Sequence, residues 1–267
     1  MPTYKLTIEY EGTRYSGWQA QGNTQKTVQG HLVRAATDVF GEVDLGGAGR
    51  TDAGVHAAGQ VAHLRMRKSV EPIQISRKIN DLLPHDIHIL NVSRAADNFH
   101  ARHDATSRAY LYQISTRRTA FAKPYVWWVK DTLRVDAMQR ASAHIAGRHD
   151  FTAFTDKRLA PDESRIVVVE ACELSRADDL ILFRVNASHF LWKMVRKLVA
   201  ALVEVGRGTM TAEDFGGRFD ARAEPFQPTA PPSGLFLESI SYPAEAFDRP
   251  LEPIARVVTH LPRRIKP

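Results

Sequence analysis

The most informative stretch of the chain is Gly46-Gly47-Ala48-Gly49-Arg50-Thr51-Asp52-Ala53-Gly54-Val55-His56-Ala57, which carries four of the 16 glycines. Glycine adopts backbone angles that other residues avoid, and it lets a ligand approach the main chain closely. Asp52 follows Arg50 by two residues, and a neighbouring cation favours the ionised form of a carboxyl group. The pattern is typical of an ionised, accessible carboxylate, here that of Asp52, that acts as a nucleophile or stabilises positive charge. It fits an ordinary surface turn equally well, and this stretch alone leaves both readings open.

Outward from this stretch, short strands and helices alternate through the first half of the chain. Residues 3–10 alternate strictly between apolar and polar side chains, which is typical of a half-buried strand. Thr27 predicts the N-cap of a helix that Gly41 ends. Three further elements are predicted: a strand at 60–66, a helix opened by Pro72 and stopped by Pro84, and a strand at 86–92.

The second half follows the same scheme. Its predicted elements are a strand at 109–115, an apolar segment at 126–129, a helix capped by Asp136 and ended by Gly147, a hairpin of 166–174 and 180–186, an apolar helix at 190–205 ended by Gly206, a short helix at 211–219, a proline-rich loop at 224–234 and a last strand at 235–242. We therefore predict an α+β fold of two modules, roughly residues 1–105 and 106–267.

The composition is that of a basic, globular chain. Its 267 residues include 36 Lys and Arg against 30 Asp and Glu, which gives a net charge of +6. Scattered positive charge favours polyanions, of which nucleic acid is the commonest. Cys172 is the only cysteine, so we expect no intrachain disulfide and no cysteine-based zinc site, and a cytoplasmic location fits. We find neither a signal-peptide pattern nor an apolar run of membrane-spanning length, so no membrane partner is expected.

Arg196 is a second candidate functional residue. Helical periodicity places this charged side chain at the margin of the buried face of the apolar helix. An arginine there is costly unless a carboxylate meets it, and a carboxylate in the glycine-rich stretch is a natural partner. Alternatively, its stem covers apolar surface while the guanidinium reaches water. The same periodicity puts Lys197 on the polar face of the helix.

Tyr110 has two readings as well. It shares one face of the strand at 109–115 with Tyr112, and aromatic residues on strands usually belong to the core. RNA-binding sheets, however, use such aromatics to stack bases. Arg102 and Arg108 make the neighbourhood basic, which suits the second reading without excluding the first.

Several common kinds of site are not supported. The glycine-rich stretch matches neither the P-loop nor the dinucleotide-binding pattern, and no Gly-x-Ser-x-Gly is present for serine hydrolysis. The histidine pairs His85/His88 and His100/His103 lack the further residues of a known metal motif, so we interpret them as surface residues.

Residues 49–57 resemble the signature of the tRNA pseudouridine synthase A (TruA) family, and other segments agree with that family in order and spacing. They are Tyr15-Ser16-Gly17-Trp18-Gln19, Thr27-Val28-Gln29, Phe99-His100-Ala101-Arg102, Arg108-Ala109-Tyr110-Leu111-Tyr112, Asp150-Phe151-Thr152-Ala153-Phe154, Met194-Val195-Arg196, and Ala230-Pro231-Pro232 before Gly234-Leu235. The resemblance runs from about Leu6 to Tyr242. It departs from the family at Thr27, where serine is frequent, and in the run after Arg196.

The resemblance implies two ferredoxin-like modules that share one mixed, mainly antiparallel sheet with helices on one face. It implies a homodimeric isomerase that converts uridine to pseudouridine at nucleotides 38, 39 and 40 of the tRNA anticodon stem-loop, without a cofactor or metal. Carried onto this chain, Asp52 is the nucleophile, Tyr110 stacks on the target base, Arg196 pairs with Asp52, and Arg50 holds the flipped-out nucleotide. The alternatives are a non-catalytic basic RNA-binding or chaperone module and a nucleotide-phosphate enzyme.

Overall fold

The computed structural model describes residues 1–20, 22, 24, 26–155, 164–245 and 247–258, and within them the backbone forms ten strands and five α-helices. The strands are β1 (Thr3–Tyr10), β2 (Val43–Gly47), β3 (His56–Met66), β4 (Ile87–Ala95), β5 (Ser107–Ser115), β6 (Trp127–Trp128), β7 (Gly147–Asp150), β8 (Ile166–Ala177), β9 (Leu180–Ala187) and β10 (Leu235–Ser241). The helices are α1 (Val28–Phe40), α2 (Pro72–Asn80), α3 (Val135–Ser142), α4 (Met194–Arg207) and α5 (Ala212–Gly216). This is the predicted α+β fold.

The described strands form one sheet in the order β4-β1-β3-β10-β5-β9-β8-β7, with β2 beside β3 and β6 beside β5. The pairs β3–β10 and β5–β6 are parallel, and the other pairs are antiparallel. The sheet is therefore mixed and mainly antiparallel, as the resemblance implies. The division into modules at residues 1–105 and 106–267 stays a prediction.

Strand β10 joins the two halves of the sheet. Leu237 pairs with Ala57 of β3 on one side and with Tyr110 of β5 on the other. Neighbouring strands lie about 4.8 Å apart. The end of the glycine-rich stretch and Tyr110, which are far apart in sequence, therefore lie about two strand spacings apart across the sheet.

The N-terminal elements form where their local signals predict them. Tyr4, Leu6 and Ile8 of β1 are buried, in agreement with the strict alternation of the sequence. Thr27 caps α1, and its hydroxyl accepts a hydrogen bond from the Gly30 amide at 3.2 Å. Gly41 follows the helix with a φ of 78°, a conformation that glycine adopts without strain. The predicted cap and end of this helix are confirmed.

The two faces of the sheet carry hydrophobic cores of different size. On β5, Tyr110, Tyr112 and Ile114 join the large core that also contains the buried residues of the five helices. Leu111 belongs to a small separate cluster that includes Val257. The helices thus pack on one face of the sheet, and part of the C-terminal segment packs on the other.

The predicted start and end of the apolar helix are wrong. Helix α4 begins at Met194, and Gly208 is its C-cap. Lys193 has a φ of 60°, in the left-handed region, which is incompatible with a helix running through it. Gly206 lies inside the helix, where a Cβ atom would come within 2.8 Å of Met138 Sδ. This glycine therefore allows α4 to pack closely on α3 and does not terminate the helix.

Two predictions about charged residues on helices are wrong as well. Lys197 is buried, and its ammonium group donates to the carbonyl oxygen of Phe226 in the proline-rich loop, which covers that side of α4. Asp136 lies in the first turn of α3 and does not cap it, because the N-cap is Arg134. The Asp136 carboxylate instead pairs with Arg140 at 3.0 Å, one helical turn further on.

None of the helices in the described residues combines the length and the apolar composition that crossing a membrane requires.

Candidate active site

A cleft of about 690 Å³ opens between the glycine-rich stretch, strand β5 and the segment that leads into α4. Four of the residues that line it are Arg50, Asp52, Tyr110 and Arg196, the residues singled out from the sequence. The volume falls within the range of about 300–1,000 Å³ that is typical of small-molecule pockets. The fold therefore gathers the predicted residues around one cavity large enough for a nucleotide.

The glycine-rich stretch is part strand and part loop. Its first two glycines belong to β2, an element that the sequence analysis did not predict, and residues 48–55 connect β2 to β3. Gly17, with a φ of 96°, lies against this loop, where a Cβ atom would come within 2.6 Å of the Thr51 carbonyl oxygen. That carbonyl accepts a hydrogen bond from the Trp18 amide at 3.1 Å, and the Thr51 hydroxyl bonds to Tyr10 at 2.8 Å. The residue before Asp52 is therefore held on both its main chain and its side chain.

His56 fixes the far end of the loop. Its Nδ1 atom accepts from the Gly12 amide at 3.0 Å, and its Nε2 atom faces the carbonyl oxygens of Pro124 and Ser233 at 2.9 and 3.2 Å. These contacts suit a neutral imidazole that carries its proton on Nε2. Burial lowers the pKa of His56, although Glu11 Oε1, 3.2 Å from Nδ1, opposes that shift. The side chain thus ties the loop to both halves of the chain.

The Asp52 carboxylate is held by two donors. Arg196 Nη1 lies 3.2 Å from Oδ2, and the indole Nε1 of Trp192 lies 3.1 Å from Oδ1. Arg196 is itself fixed by a 2.7 Å hydrogen bond from its Nε atom to the carbonyl oxygen of Ala230. The side chain of Asp52 is 29% exposed and that of Arg196 is 14% exposed. The carboxylate is therefore oriented by the protein and still open to the cleft.

Tyr110 lines the same cleft as this pair. Its ring packs edge-on against Phe190, with the centroids 4.9 Å apart. Burial raises the pKa of Tyr110 above its usual range, and the negative charge of Asp52 raises it further. The phenol is therefore protonated at neutral pH.

Cationic side chains surround the mouth of the cleft. Arg50 is exposed there, and its Nε atom donates to Gln19 Oε1 at 3.2 Å. The amide of Gln19 in turn bonds to Gln29 of α1 at 2.7 Å, so the Arg50 side chain is supported by a helix. Arg102 also lines the cleft. These groups give the opening a positive charge suited to phosphate.

Arg108 links several main-chain segments that border the cleft. Its guanidinium donates to four main-chain carbonyls, those of Ala48, Arg102, Ala105 and Ser188, at 3.3, 2.8, 3.1 and 2.8 Å. Burial lowers the pKa of Arg108, although arginine remains charged near neutral pH. One side chain thus connects the glycine-rich stretch to the segment that follows β9.

One of the histidine pairs noted in the sequence lies beside a third histidine. His100 and His103 lie with their ring centroids 4.2 Å apart, and His100 lies against His63 at 4.6 Å. Within the described parts of the chain, no group of three or more His, Cys, Asp or Glu side chains is arranged to hold a metal ion.

Trp192, His56 and Arg108 belong to this site although no sequence pattern assigned them a role in it. Trp192 lay inside the predicted apolar helix, His56 stood in the glycine-rich stretch, and Arg108 was noted only for its charge and as part of a family motif. A local signal existed for His56, which directly follows the loop, whereas the contact between Trp192 and Asp52 spans 140 positions and has no local signature.

Comparisons with known proteins identify the family of the chain. A family model described as tRNA pseudouridine synthase matches residues 6–104 and 141–243. A tRNA pseudouridine synthase A of Maricaulis maris is 40% identical over 92% of this chain and 100% of its own length, and that of Brucella ovis is 40% identical over 91% and 98%. A tRNA pseudouridine synthase A 2 of Bacillus cereus is 37% identical over 91% of this chain and all of its own. The chain therefore belongs to the tRNA pseudouridine synthase family.

Proposed function

We propose that this protein converts uridine to pseudouridine at nucleotides 38, 39 and 40 of the tRNA anticodon stem-loop, with Asp52 as the nucleophile and no cofactor. The observation that carries the proposal is the carboxylate of Asp52, which two donors orient inside the cleft while it stays partly exposed. Membership of the family supplies the reaction class and the tRNA substrate. The position within the tRNA rests on the resemblance of the sequence motifs.

The reaction needs little beyond such a carboxylate. Pseudouridine has the same atoms as uridine: the bond from C1′ to N1 breaks, the base turns, and a bond from C1′ to C5 forms. N1 gains a proton and C5 loses one, so no electrons enter or leave and no oxidant or reductant is needed for balance. An ionised carboxylate can add to the sugar or the base, or stabilise positive charge at C1′, and then leave again.

The other cleft residues fit substrate binding. The target base must leave its stack, which costs about a few kcal/mol and less in a loop. Tyr110 offers a ring at the cleft wall on which the extruded nucleobase can stack, and burial keeps its phenol protonated. Arg50 and Arg102 at the mouth suit the phosphates on either side of an extruded nucleotide.

A non-catalytic RNA-binding module is the rival proposal. A binder gains nothing from an anionic side chain in the centre of its cationic cleft, because Asp52 repels phosphate. The Asp52–Arg196 contact therefore favours catalysis. From the resemblance alone we also propose a homodimer, which sedimentation equilibrium tests, and a cytoplasmic location.

Asp52→Asn tests the function. In tRNA labelled with tritium at uridine C5, we expect the variant to lose more than about a thousandfold in tritium release, because it removes the nucleophile. It should bind tRNA at least as well as the native chain. Sequencing of pseudouridine in the treated tRNA then reports whether nucleotides 38, 39 and 40 are the ones modified.

Asp44→Asn is the matched control. Asp44 lies on β2, close in sequence to the same stretch, and pairs with Arg65 at 2.8 Å outside the cleft. This variant should keep the native rate. Full turnover by Asp52→Asn would reject the nucleophile, and native protein that binds tRNA without making pseudouridine would support the rival.

A further inference from the structure

Trp192 is an unexpected feature of the cleft. It lies between the end of β9 and the start of α4, the residue is 38% exposed, and it lines the cavity. Its indole N–H is directed at Oδ1 of Asp52 at 3.1 Å, while Arg196 occupies Oδ2. A tryptophan N–H is a donor only, so it can hold the ionised carboxylate without competing for a proton.

The backbone around Trp192 is held in a special conformation. The next residue, Lys193, has a φ of 60°, which is uncommon for any residue other than glycine. The turn is stabilised by the Met194 amide, which donates to the Leu191 carbonyl at 3.1 Å, and by the Thr155 hydroxyl, which donates to the Trp192 carbonyl at 3.2 Å. An unfavourable backbone angle persists only where the surroundings enforce it, and such angles concentrate at functional sites.

The indole ring is fixed as well as its backbone. The ammonium group of Lys193 lies 4.3 Å from the ring centroid of Trp192, in the range of a cation–π interaction. The ring is thus held by Lys193 on one side and by its own hydrogen bond to Asp52. Both contacts together give the N–H one defined direction.

We propose that Trp192 is a positioning residue for Asp52, and this inference rests on the proposed function. A carboxylate rotates about its last carbon–carbon bond unless both oxygens are held, and Arg196 by itself fixes one. The indole N–H fixes the other, so the carboxylate presents one lone pair of each oxygen to the cleft in a single orientation. Reactions depend on such orientation, and a small misplacement lowers the rate without weakening binding.

Two substitutions separate positioning from base stacking. Trp192→Phe keeps an aromatic ring and removes the N–H. Trp192→His removes the large ring, but with the imidazole suitably flipped its Nε2 atom takes the place of the indole Nε1. If Trp192 positions Asp52, His preserves function and Phe does not; if Trp192 stacks on RNA, the order is reversed.

Single-turnover tritium release from labelled tRNA at pH 8, where imidazole is neutral, is the measurement. We expect Trp192→Phe to lower the rate at saturating enzyme about tenfold, the size of effect expected from losing one hydrogen bond to a charged group, with unchanged tRNA affinity. We expect Trp192→His to restore the rate to within about threefold of the native one. Trp128→Phe, at an exposed tryptophan outside the cleft, is the control and should match the native protein.

The outcomes separate this inference from the function it rests on. If native protein makes pseudouridine, Asp52→Asn is inactive and Trp192→Phe is as fast as native, the positioning role is overturned and the function stands. The same holds if Phe is active, His is inactive and tRNA affinity falls with His, which would indicate stacking. Native protein without activity, or an active Asp52→Asn, would overturn both. Thermal unfolding of each variant establishes that the compared chains are folded.

Discussion

Two arginine–carboxylate pairs in this fold show how burial changes the use of one kind of contact. On the face of the sheet away from the cleft, Arg184 holds Glu238 by two hydrogen bonds of 2.8 and 2.6 Å, with the side chains 2% and 8% exposed. In the cleft, Arg196 holds Asp52 by one contact of 3.2 Å, and Asp52 is 29% exposed. The first pair is bidentate and nearly dry, and the second is single and open.

The two arginines also differ in the other hydrogen bonds that they donate. Arg184 also donates to the carbonyl oxygens of Arg249 and Pro250, so its guanidinium ties the C-terminal segment to the back of the sheet. Arg196 fixes the proline-rich loop through Ala230 and leaves Asp52 accessible. A saturated, buried pair can only hold structure, whereas a half-open pair can exchange a contact with a substrate. We therefore propose that access of the carboxylate separates a pair that can act on a substrate from one that only holds structure.

The largest effect is expected at the buried pair. Glu238→Gln leaves Arg184 charged, buried and without its bidentate partner, which should cost about 3–5 kcal/mol of unfolding free energy. Denaturant-induced unfolding measures the loss. At a temperature where the variant is folded, pseudouridine formation per folded molecule should be unchanged, because the pair lies away from the cleft.

Glu173→Gln is the control for this variant. Glu173 approaches the same arginine at 3.6 Å but is 49% exposed. Exposed pairs contribute about 0–1 kcal/mol, so this change should be small. Equal losses for the two glutamates would mean that burial does not set the difference between the pairs, and the comparison would fail.

At the Asp52–Arg196 pair we expect a large loss of activity and a small loss of stability. Arg196→Gln removes a charged donor from Asp52, and we expect kcat to fall about a hundredfold, as for the loss of one donor to an anionic centre. The free energy of unfolding should fall by only about 1 kcal/mol, because the pair is partly solvated. Tritium release and denaturant-induced unfolding on the same preparation give both numbers.

Arg207→Gln, on the same helix, provides the reference. Arg207 pairs with Asp131 and Glu204, each at 2.7 Å, outside the cleft. The Arg207→Gln variant should convert tRNA at the native rate. An Arg196 variant that is destabilised as strongly as Glu238→Gln, yet fully active when folded, would show that the cleft pair too is structural.

The parts of the fold that sequence predicted are those with local causes. The alternation in β1, the cap at Thr27 and the end of α1 at Gly41 each depend on neighbouring residues only, and all three are confirmed. Helix α4 begins later than predicted because Lys193 takes a left-handed angle in a turn to which the distant Thr155 side chain donates a hydrogen bond. Periodicity contains no information about such contacts.

The residues of the candidate site likewise fall into those with a sequence signal and those that depend on distant contacts. Asp52 was recognisable from its motif, and Arg196 from a charge at the edge of an apolar face. Trp192 and His56 act through partners far away in sequence, Asp52 in one case and Pro124 and Ser233 in the other. The contacts that give these two residues their roles form only when the fold brings the two halves of the chain together.

Arg50 is a third arginine, which is neither buried nor paired with a carboxylate among the described residues, and it should give the smallest effect. Its contact is the side-chain amide of Gln19 at 3.2 Å, at the mouth of the cleft. Arg50→Ala should raise KM for tRNA about tenfold and reduce the salt slope of binding by about one, with kcat and stability unchanged, because an exposed cation acts on phosphate.

The matched change is Arg67→Ala, since Arg67 is an exposed arginine that pairs with Glu42 at 2.7 Å away from the cleft. Titration of labelled tRNA at several salt concentrations should distinguish the two variants, with Arg67→Ala close to native. If both lowered affinity equally, general positive charge rather than the position of Arg50 would explain tRNA binding. If Arg50→Ala instead lowered kcat alone, the arginine would act on the bound nucleotide during reaction, and exposure would no longer separate binding groups from catalytic ones.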